Sequence, residues 1–290
     1  MSTSIQFTKM HGLQNDFVVV ETLRQSLTLT PSLIRELGNR KTGIGFDQLL
    51  VVSPSKEKNA DFHYQIYNAD GTEVEQCGNG ARCVARFLLE EGLWEKNTIT
   101  LHCLAGHLTL WVEGDEVCVN MGEPHFLSSH IPFLEEAPKG ANPEIFYSSS
   151  QRKGHFTFNG REYECILLSM GNPHCVVPVD SLEKAPVEAL GPCLNKHPQF
   201  PAGVNVGFMK LIDSHHIELR VYERGVGETL ACGSGACAAV VAGRLLKQLD
   251  TPVIVHLLGG DLSIHWTMDN KGLLMKGPAT TVFKGTWVSF

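Results

Sequence analysis

Two short cysteine turns carry the chemistry of this chain: Cys77-Gly78-Asn79-Gly80-Ala81-Arg82-Cys83 and Cys232-Gly233-Ser234-Gly235-Ala236-Cys237. In each, a cysteine precedes Gly-x-Gly-Ala and then an apolar run that reads as helix. The glycines allow a tight turn and close backbone approach. Free amides at a helix start, backed by the helix dipole, form a small anion site, where a cysteine has a lowered pKa and a reactive thiolate. Two matched thiols suit inversion at a stereocentre, which needs a base on one face of a carbon and an acid on the other; one thiolate and one thiol can exchange these roles for the reverse reaction. The carbanion at an amino-acid α-carbon is very unstable in water, so the developing charge on its carboxylate needs donors, and two Gly-x-Gly turns can supply them.

The match extends upstream of the turns. Tyr67 and Tyr222 each stand ten residues before their cysteine, Asn68 and Glu223 nine, Glu73 and Glu228 four. Agreement without gaps points to an internal duplication: two similar lobes, each presenting one thiol. In the first half, Phe17–Val20, Gln48–Val52 and Phe62–Tyr67 read as strands. Thr30 caps a helix that has Pro31 at its first position and Gly38 at its close. Ala81, Val84, Ala85, Leu88 and Leu89 form the apolar stripe of the helix behind Cys77, which Gly92 ends. A hairpin follows over 107–121, turning at Glu113-Gly114-Asp115. The Pro-, Ser- and Gly-rich stretch from Gly122 to about Ser150 reads as a linker. In the second half, Asn159-Gly160 marks a hairpin turn, and strands fall at Cys175–Val177, Val206–Met209 and Ile217–Tyr222. The helix behind Cys232 is apolar all round and so must be buried all round. Closing strands fall at Val253–Leu258, Leu262–Trp266 and Leu273–Lys276. The expected fold is α+β, with two similar lobes in pseudo-twofold duplication, each a mixed, mostly antiparallel sheet wrapped around a central helix. The expected boundaries are 1–122 for the N-terminal lobe, with the tail 278–290 returning to it, and 123–277 for the C-terminal lobe.

The length, 290 residues, suits two such domains. With 43% hydrophobic and 19% charged residues, each half can build a core. The formal net charge is −7 with no basic block, which argues against nucleic acid or an anionic membrane as partner. The first residues lack a charged segment followed by an apolar core, and no apolar run is long enough to span a bilayer, so the expected location is the cytoplasm. There the nine cysteines read as reduced thiols. Cys83, Cys103, Cys118, Cys165, Cys175, Cys193 and Cys237 read as small core residues.

In order along the chain, Met10-His11-Gly12-Leu13-Gln14-Asn15-Asp16-Phe17, the Cys77 turn, Met170-Gly171-Asn172-Pro173-His174, Gly203-Val204-Asn205-Val206 and Tyr222–Gly235 resemble the motifs of the diaminopimelate epimerases. The likeness runs from Met10 to Gly285. It implies a cofactor-independent isomerase interconverting LL- and meso-2,6-diaminoheptanedioate, on the route to lysine and peptidoglycan precursors. By that resemblance Cys77 and Cys232 are the acid/base pair, and His174 and Glu223 tune the thiols. Asn15, Gln48, Asn68, Asn172 and Asn205 match amide ligands of the substrate, and Gly78-Asn79 and Gly233-Ser234 match the turns that bind the reacting carboxylate through backbone amides. Glu223 and Arg224 match the readers of the distal amine and carboxylate. The family's usual glycine is Gln14 here, and Phe283 replaces the tyrosine through which the family dimerises; a homodimer is expected without that hydroxyl. The residue chemistry agrees, because buried amides can donate and accept at a zwitterion and a Glu beside an Arg can match an ammonium and a carboxylate.

Other chemistries fit less well. Cys232 and Cys237, with four residues between them, come nearest to zinc-ligand spacing but lack a matching pair. No C-x-x-C supports a dithiol redox module. No dinucleotide fingerprint or pyridoxal phosphate motif is evident, and the expectation is no metal and no cofactor. The nearest alternative enzyme is a related two-cysteine racemase of proline or hydroxyproline, and the alternative outside catalysis is a metal-binding or redox-sensing module.

Overall fold

The structure, a computed structural model, describes residues 4–75, 77–135 and 153–288. It divides into two compact units, one of residues 1–120 with 276–290, the other of 121–275.

The first unit runs β1 (Ser4–Gly12), β2 (Asn15–Glu21), α1 (Pro31–Gly38), β3 (Gln48–Pro54), β4 (Phe62–Asn68), β5 (Glu73–Val74), α2 (Gly78–Glu90), β6 (Thr98–Cys103), β7 (Gly106–Glu113) and β8 (Glu116–Asn120). Its pairings go antiparallel for β1–β2, parallel for β2–β3, antiparallel for β3–β4, parallel for β4–β6, and antiparallel for β6–β7 and β7–β8, with β5 a short antiparallel flank on β4. The run Leu49-Leu50-Val51-Val52 is buried throughout because the sheet is covered on both faces. Leu49 and Val51 join the cluster with Ile34 and Leu37 of α1, while the Leu50 side chain lies beside Gly80 of α2. α2 packs against β1, β2, β3, β7 and β8, so the sheet curves around it.

The second unit holds β9 (Lys153–Phe158), β10 (Arg161–Ser169), β11 (Pro173–Pro178), α3 (Val187–Asn195), β12 (Asn205–Asp213), β13 (His216–Glu223), β14 (Gly227–Thr229), α4 (Gly233–Leu245), β15 (Val253–Leu257) and β16 (Gly260–His265). It repeats the pairing order: β10–β11 antiparallel, β11–β12 parallel, β12–β13 antiparallel, β13–β15 parallel, β15–β16 antiparallel, with β14 flanking β13. β17 (Leu274–Pro278) leads out of this unit, and β18 (Thr280–Val288) pairs antiparallel with β1. β18 thus takes in the first unit the place that β9 takes beside β10 in the second. The fold is α+β and duplicated.

α4 is buried from Ala236 through Gly243, as its all-apolar sequence requires. Burying Val240 and Val241 contributes about 1.5–3 kcal/mol each. In the first unit, Thr30 caps α1 by accepting from the Leu33 amide at 3.2 Å. Gly38 closes α1, as the sequence indicates, and it is small because a Cβ there would lie 3.1 Å from that of Ala69. Two readings of the sequence need correction. Cys193, read as a core residue, is exposed. The described part of the 122–150 stretch is not a linker. His125 and Ser169 exchange backbone hydrogen bonds of 2.8 Å, and Ile131 and Phe133 enter the core of the second unit; the rest of that stretch falls outside the described residues. α3, which the sequence reading did not assign, carries Gly191-Pro192 within it. Gly191 is there because a Cβ would meet the Tyr222 ring at 2.7 Å, and Val187, Leu190 and Leu194 anchor the helix in the core.

Candidate active site

In the first unit, Cys77 is the N-cap of α2, with φ −143° and ψ 109°. Its Sγ accepts from the Gly80 amide at 3.4 Å, so a first-turn donor of the helix points at the sulfur. The thiol donates toward Asn15 Oδ1 at 3.9 Å, and Asn15 is oriented from its other end, where Nδ2 donates to Asp47 Oδ2 at 3.0 Å. Asp47 is held in turn by Arg40 at 2.7 Å, whose guanidinium also binds Asp16 at 2.6 Å. Tyr64, fully buried, donates its hydroxyl to the Cys77 carbonyl at 3.3 Å. A Cβ on Gly80 would fall 2.5 Å from that hydroxyl, which fixes glycine at this position.

Gln48 and Asn68 lie opposite each other on β3 and β4. Gln48 Nε2 donates to Asn68 Oδ1 at 3.1 Å, and Asn68 Nδ2 donates to Thr72 Oγ1 at 3.2 Å. This leaves Gln48 Oε1 buried and, among the described residues, without a donor. Buried acceptors of that kind are costly unless a ligand satisfies them. The Asn79 side chain is buried, and its Oδ1 accepts from Arg82 Nη2 at 2.9 Å.

In the second unit, Cys232 caps α4 with nearly the same backbone, φ −128° and ψ 108°, but is 4% exposed. A hydrogen-bonded chain ends on it. His174 Nε2 meets Asn172 Oδ1 at 3.0 Å, Asn172 Nδ2 donates to Ser234 Oγ at 3.2 Å, and Ser234 Oγ lies 3.7 Å from Cys232 Sγ. Because the Asn172 oxygen accepts, His174 carries its proton on Nε2. Burial, with Arg224 adding to it, holds the His174 imidazole down at about 3, so the ring is neutral. Among the described residues, His174 is linked to Cys232 through Asn172 and Ser234.

Burial pushes the Cys232 thiol well up, the Glu223 carboxylate pushes further, and Ser234 opposes. Glu223 is itself raised by burial, against the Thr229 hydroxyl, which donates to it at 2.5 Å, and the thiol. Both groups therefore favour holding a proton, which for Cys232 is the reverse of the lowered pKa expected of a cysteine at a helix start: burial and the Glu223 carboxylate outweigh the amides of the turn. Asn205 has both ends of its amide engaged by the backbone: Nδ2 donates to Pro173 O at 3.1 Å and Oδ1 accepts from the Arg224 amide at 2.9 Å. The exposed Arg224 side chain donates to Ala202 O at 3.0 Å and lies along Gly203, where a Cβ would crowd it at 3.0 Å. Phe283 lies on β18, 47% exposed, with its ring edge-on to Phe7 at 5.9 Å.

Pairing within each unit reveals equivalences that the cysteine spacing alone does not give. Phe17 lies opposite Gln48 across β2 and β3, and His174 lies opposite Asn205 across β11 and β12. Gln48 therefore corresponds to Asn205, and counting back, Asn15 corresponds to Asn172 and Gln14 to Gly171. Asn68 corresponds to Glu223. Each unit thus gathers neutral amides around its helix N-terminus, but the two ionisable neighbours, His174 and Glu223, both belong to the second; the first has Phe17 and Asn68. Sequence reasoning missed Tyr64, Thr229 and Arg82. For Arg82 the signal was a charge beside the apolar stripe of the helix, at the position where the second turn has Cys237.

The duplicated sheet-and-helix units are shared with solved enzymes at low identity. A hydroxyproline epimerase from Agrobacterium vitis, with bound trans-4-hydroxy-L-proline, matches with a TM-score of 0.67 at 16% identity, over 98% of this chain and 92% of that one. A phenazine biosynthesis protein of the PhzF family from Bacillus anthracis gives 0.65 at 17% identity, over 99% of each chain. A methylitaconate-delta-isomerase gives 0.64 at 13% identity, over 99% of this chain and 96% of that one. These likenesses show a shared fold. The family model described as diaminopimelate epimerase matches residues 7–127 and 166–282, and the chain belongs to that family.

Proposed function

We propose that this protein is a diaminopimelate epimerase that interconverts LL- and meso-2,6-diaminoheptanedioate by two-base proton transfer between Cys77 and Cys232, with no added cofactor. The observation that carries the reading is the duplicated N-cap cysteine, each next to an oriented asparagine side chain: Cys77 beside Asn15, and Cys232 linked through Ser234 to Asn172. One thiolate removes the α-proton and the other thiol returns a proton to the opposite face. The amides of Gly78-Asn79 and Gly233-Ser234, at the starts of α2 and α4, stabilise the charge that builds on the carboxylate. The unpartnered Gln48 Oε1 is an acceptor suited to a substrate ammonium. Glu223 and Arg224 read the distal amine and carboxylate, with Asn68, Asn172 and Asn205 completing the amide set. His174 and Glu223 set the readiness of the thiols.

The protein works on this reading as a cytoplasmic homodimer joined near Phe283, in lysine and peptidoglycan precursor synthesis. Among the described residues no helix is long and apolar enough to cross a membrane. The solved hydroxyproline epimerase of similar fold poses the question of substrate. A distal amino-acid head is the distinguishing feature, and a site built to bond it rejects plain amino acids. Purified protein should therefore turn over LL-diaminopimelate without added cofactor and leave proline and hydroxyproline unchanged. Arg224→Ala should lower kcat/KM by about 2–5 kcal/mol in transition-state terms, the cost of losing a charged partner. Turnover of hydroxyproline in place of diaminopimelate, or an unaffected Arg224→Ala enzyme, would overturn the assignment.

A further inference from the structure

Arg82 is fully buried, at 0% exposure, in the second turn of α2. Its counterpart behind Cys232 is Cys237, equally buried and uncharged. Burying a guanidinium is expensive unless its donors are used, and here they reach separate segments of the first unit. Nη2 donates to Asn79 Oδ1 at 2.9 Å, in the first turn of the same helix. Nε donates to Pro278 O at 3.3 Å, on the segment leading into β18. Nη2 also lies 3.4 Å from where a Cβ on Gly12 would stand, as does the Asn79 carbonyl. Gly12 closes β1 and leads into the turn that delivers Asn15, the acceptor for the Cys77 thiol. A planar fork can hold these directions at once; a lysine cannot.

We propose that Arg82 is a positioning residue for Cys77: through Asn79 and the Gly12 turn it fixes both the first-turn amides of α2 and the approach of Asn15 to the sulfur. This deepens the epimerase reading, since it takes Cys77 as an acid/base. It also explains why the residue after Gly78 is asparagine whereas the residue after Gly233 is serine. Asn79 spends its side chain on Arg82, while Ser234, with no arginine behind it, turns its hydroxyl to the thiol. The two thiols are thereby set by different means: a braced backbone at Cys77, side-chain groups at Cys232.

The test uses the full-length protein with Arg82→Lys, which keeps the charge but loses the fork, and Asn79→Ala, which removes the acceptor but keeps the backbone amide. Two quantities are read: kcat and KM on diaminopimelate, and the pH dependence of Cys77 alkylation by iodoacetamide, followed by peptide mass spectrometry with Cys232 as internal reference. Misaligned donors should lower kcat about 10- to 100-fold, with KM changed by less than about threefold, because the loss falls on the transition state. Loosening the Gly80 amide from the sulfur should move the Cys77 alkylation midpoint up by about half a pH unit or more, leaving Cys232 unmoved. A purely structural role would lower the melting temperature without moving that midpoint. If Arg82→Lys does not fold, Asn79→Ala decides alone. A folded variant with the wild-type midpoint and kcat overturns the proposal. The alkylation arm needs no substrate, so it stands or falls independently of whether the protein turns over diaminopimelate.

Discussion

Gln14 adopts a left-handed backbone, φ 66°, next to Leu13 at φ 56°, in the two-residue turn between β1 and β2. Its counterpart in the second unit, Gly171, stands at φ 89°. An L-residue in this region costs roughly 1–2 kcal/mol, and the extra freedom of glycine in the unfolded chain offsets roughly 0.5–1 of that. Gln14→Gly should therefore stabilise the protein by up to about 1 kcal/mol, visible as a higher denaturation midpoint with unchanged m-value. The substitution should leave activity near wild type, because Asn15 keeps its bonds to Asp47 and Cys77. His174 makes the complementary point about charge. Its folded-state value of about 3 lies far below the ordinary 6.5. Between those values the unfolded chain binds a proton that the native protein does not, so stability is fully present above pH 6.5 and falls as the pH drops toward 3, by about 1.4 kcal/mol per pH unit. His174→Gln, which retains an amide donor, should flatten the melting temperature between pH 4.5 and 6.5. An unchanged acid slope would mean that another group carries it.

At the scale of elements, the start of α2 is defined by what lies beneath it. Tyr64 rises from β4 to the Cys77 carbonyl, and Gly80 exists because of that hydroxyl. Gly80→Ala should cost about 1–3 kcal/mol through overpacking and lower kcat by tilting the cysteine turn. Adding Tyr64→Phe should recover part of the loss, since it removes the closest atom while Leu50 remains at 3.0 Å. Equal stability of the single and double variants, measured by urea unfolding, would show that the hydroxyl is not the obstacle.

These relations separate what was legible in the sequence from what was not. The cysteine turns were legible because glycines and a helical stripe are local signals. Asn159-Gly160 was legible for the same reason, and both residues take the positive φ of a tight hairpin turn, 50° and 73°. Gly38, Gly80 and Gly191 carry no local signal for their role: each is dictated by a side chain distant in sequence, Ala69, Tyr64 and Tyr222. α3 was hidden because Gly191-Pro192 obeys the Tyr222 ring rather than helix propensity. The 122–135 stretch was misread because proline and serine content does not reveal that Ile131 and Phe133 are core residues.

Across the whole molecule, one pairing order is used twice and then differentiated. Asn15 and Asn172, Gln48 and Asn205, and the two Gly-x-Gly turns are common property. Phe17 against His174, Asn68 against Glu223, and Arg82 against Cys237 are where the copies part. On the proposed reading, such a duplication with unequal neighbours suits a two-base reaction, in which the two thiols hold different protonation states and exchange roles. The most direct test of that claim is the fate of the α-hydrogen in deuterium oxide. Starting from LL-diaminopimelate, early meso product should carry deuterium at the inverted carbon while the remaining substrate stays protiated, because one thiol removes the hydrogen and a separate, solvent-exchanged thiol delivers its replacement. Retention of the original hydrogen in early product would contradict the two-thiol account.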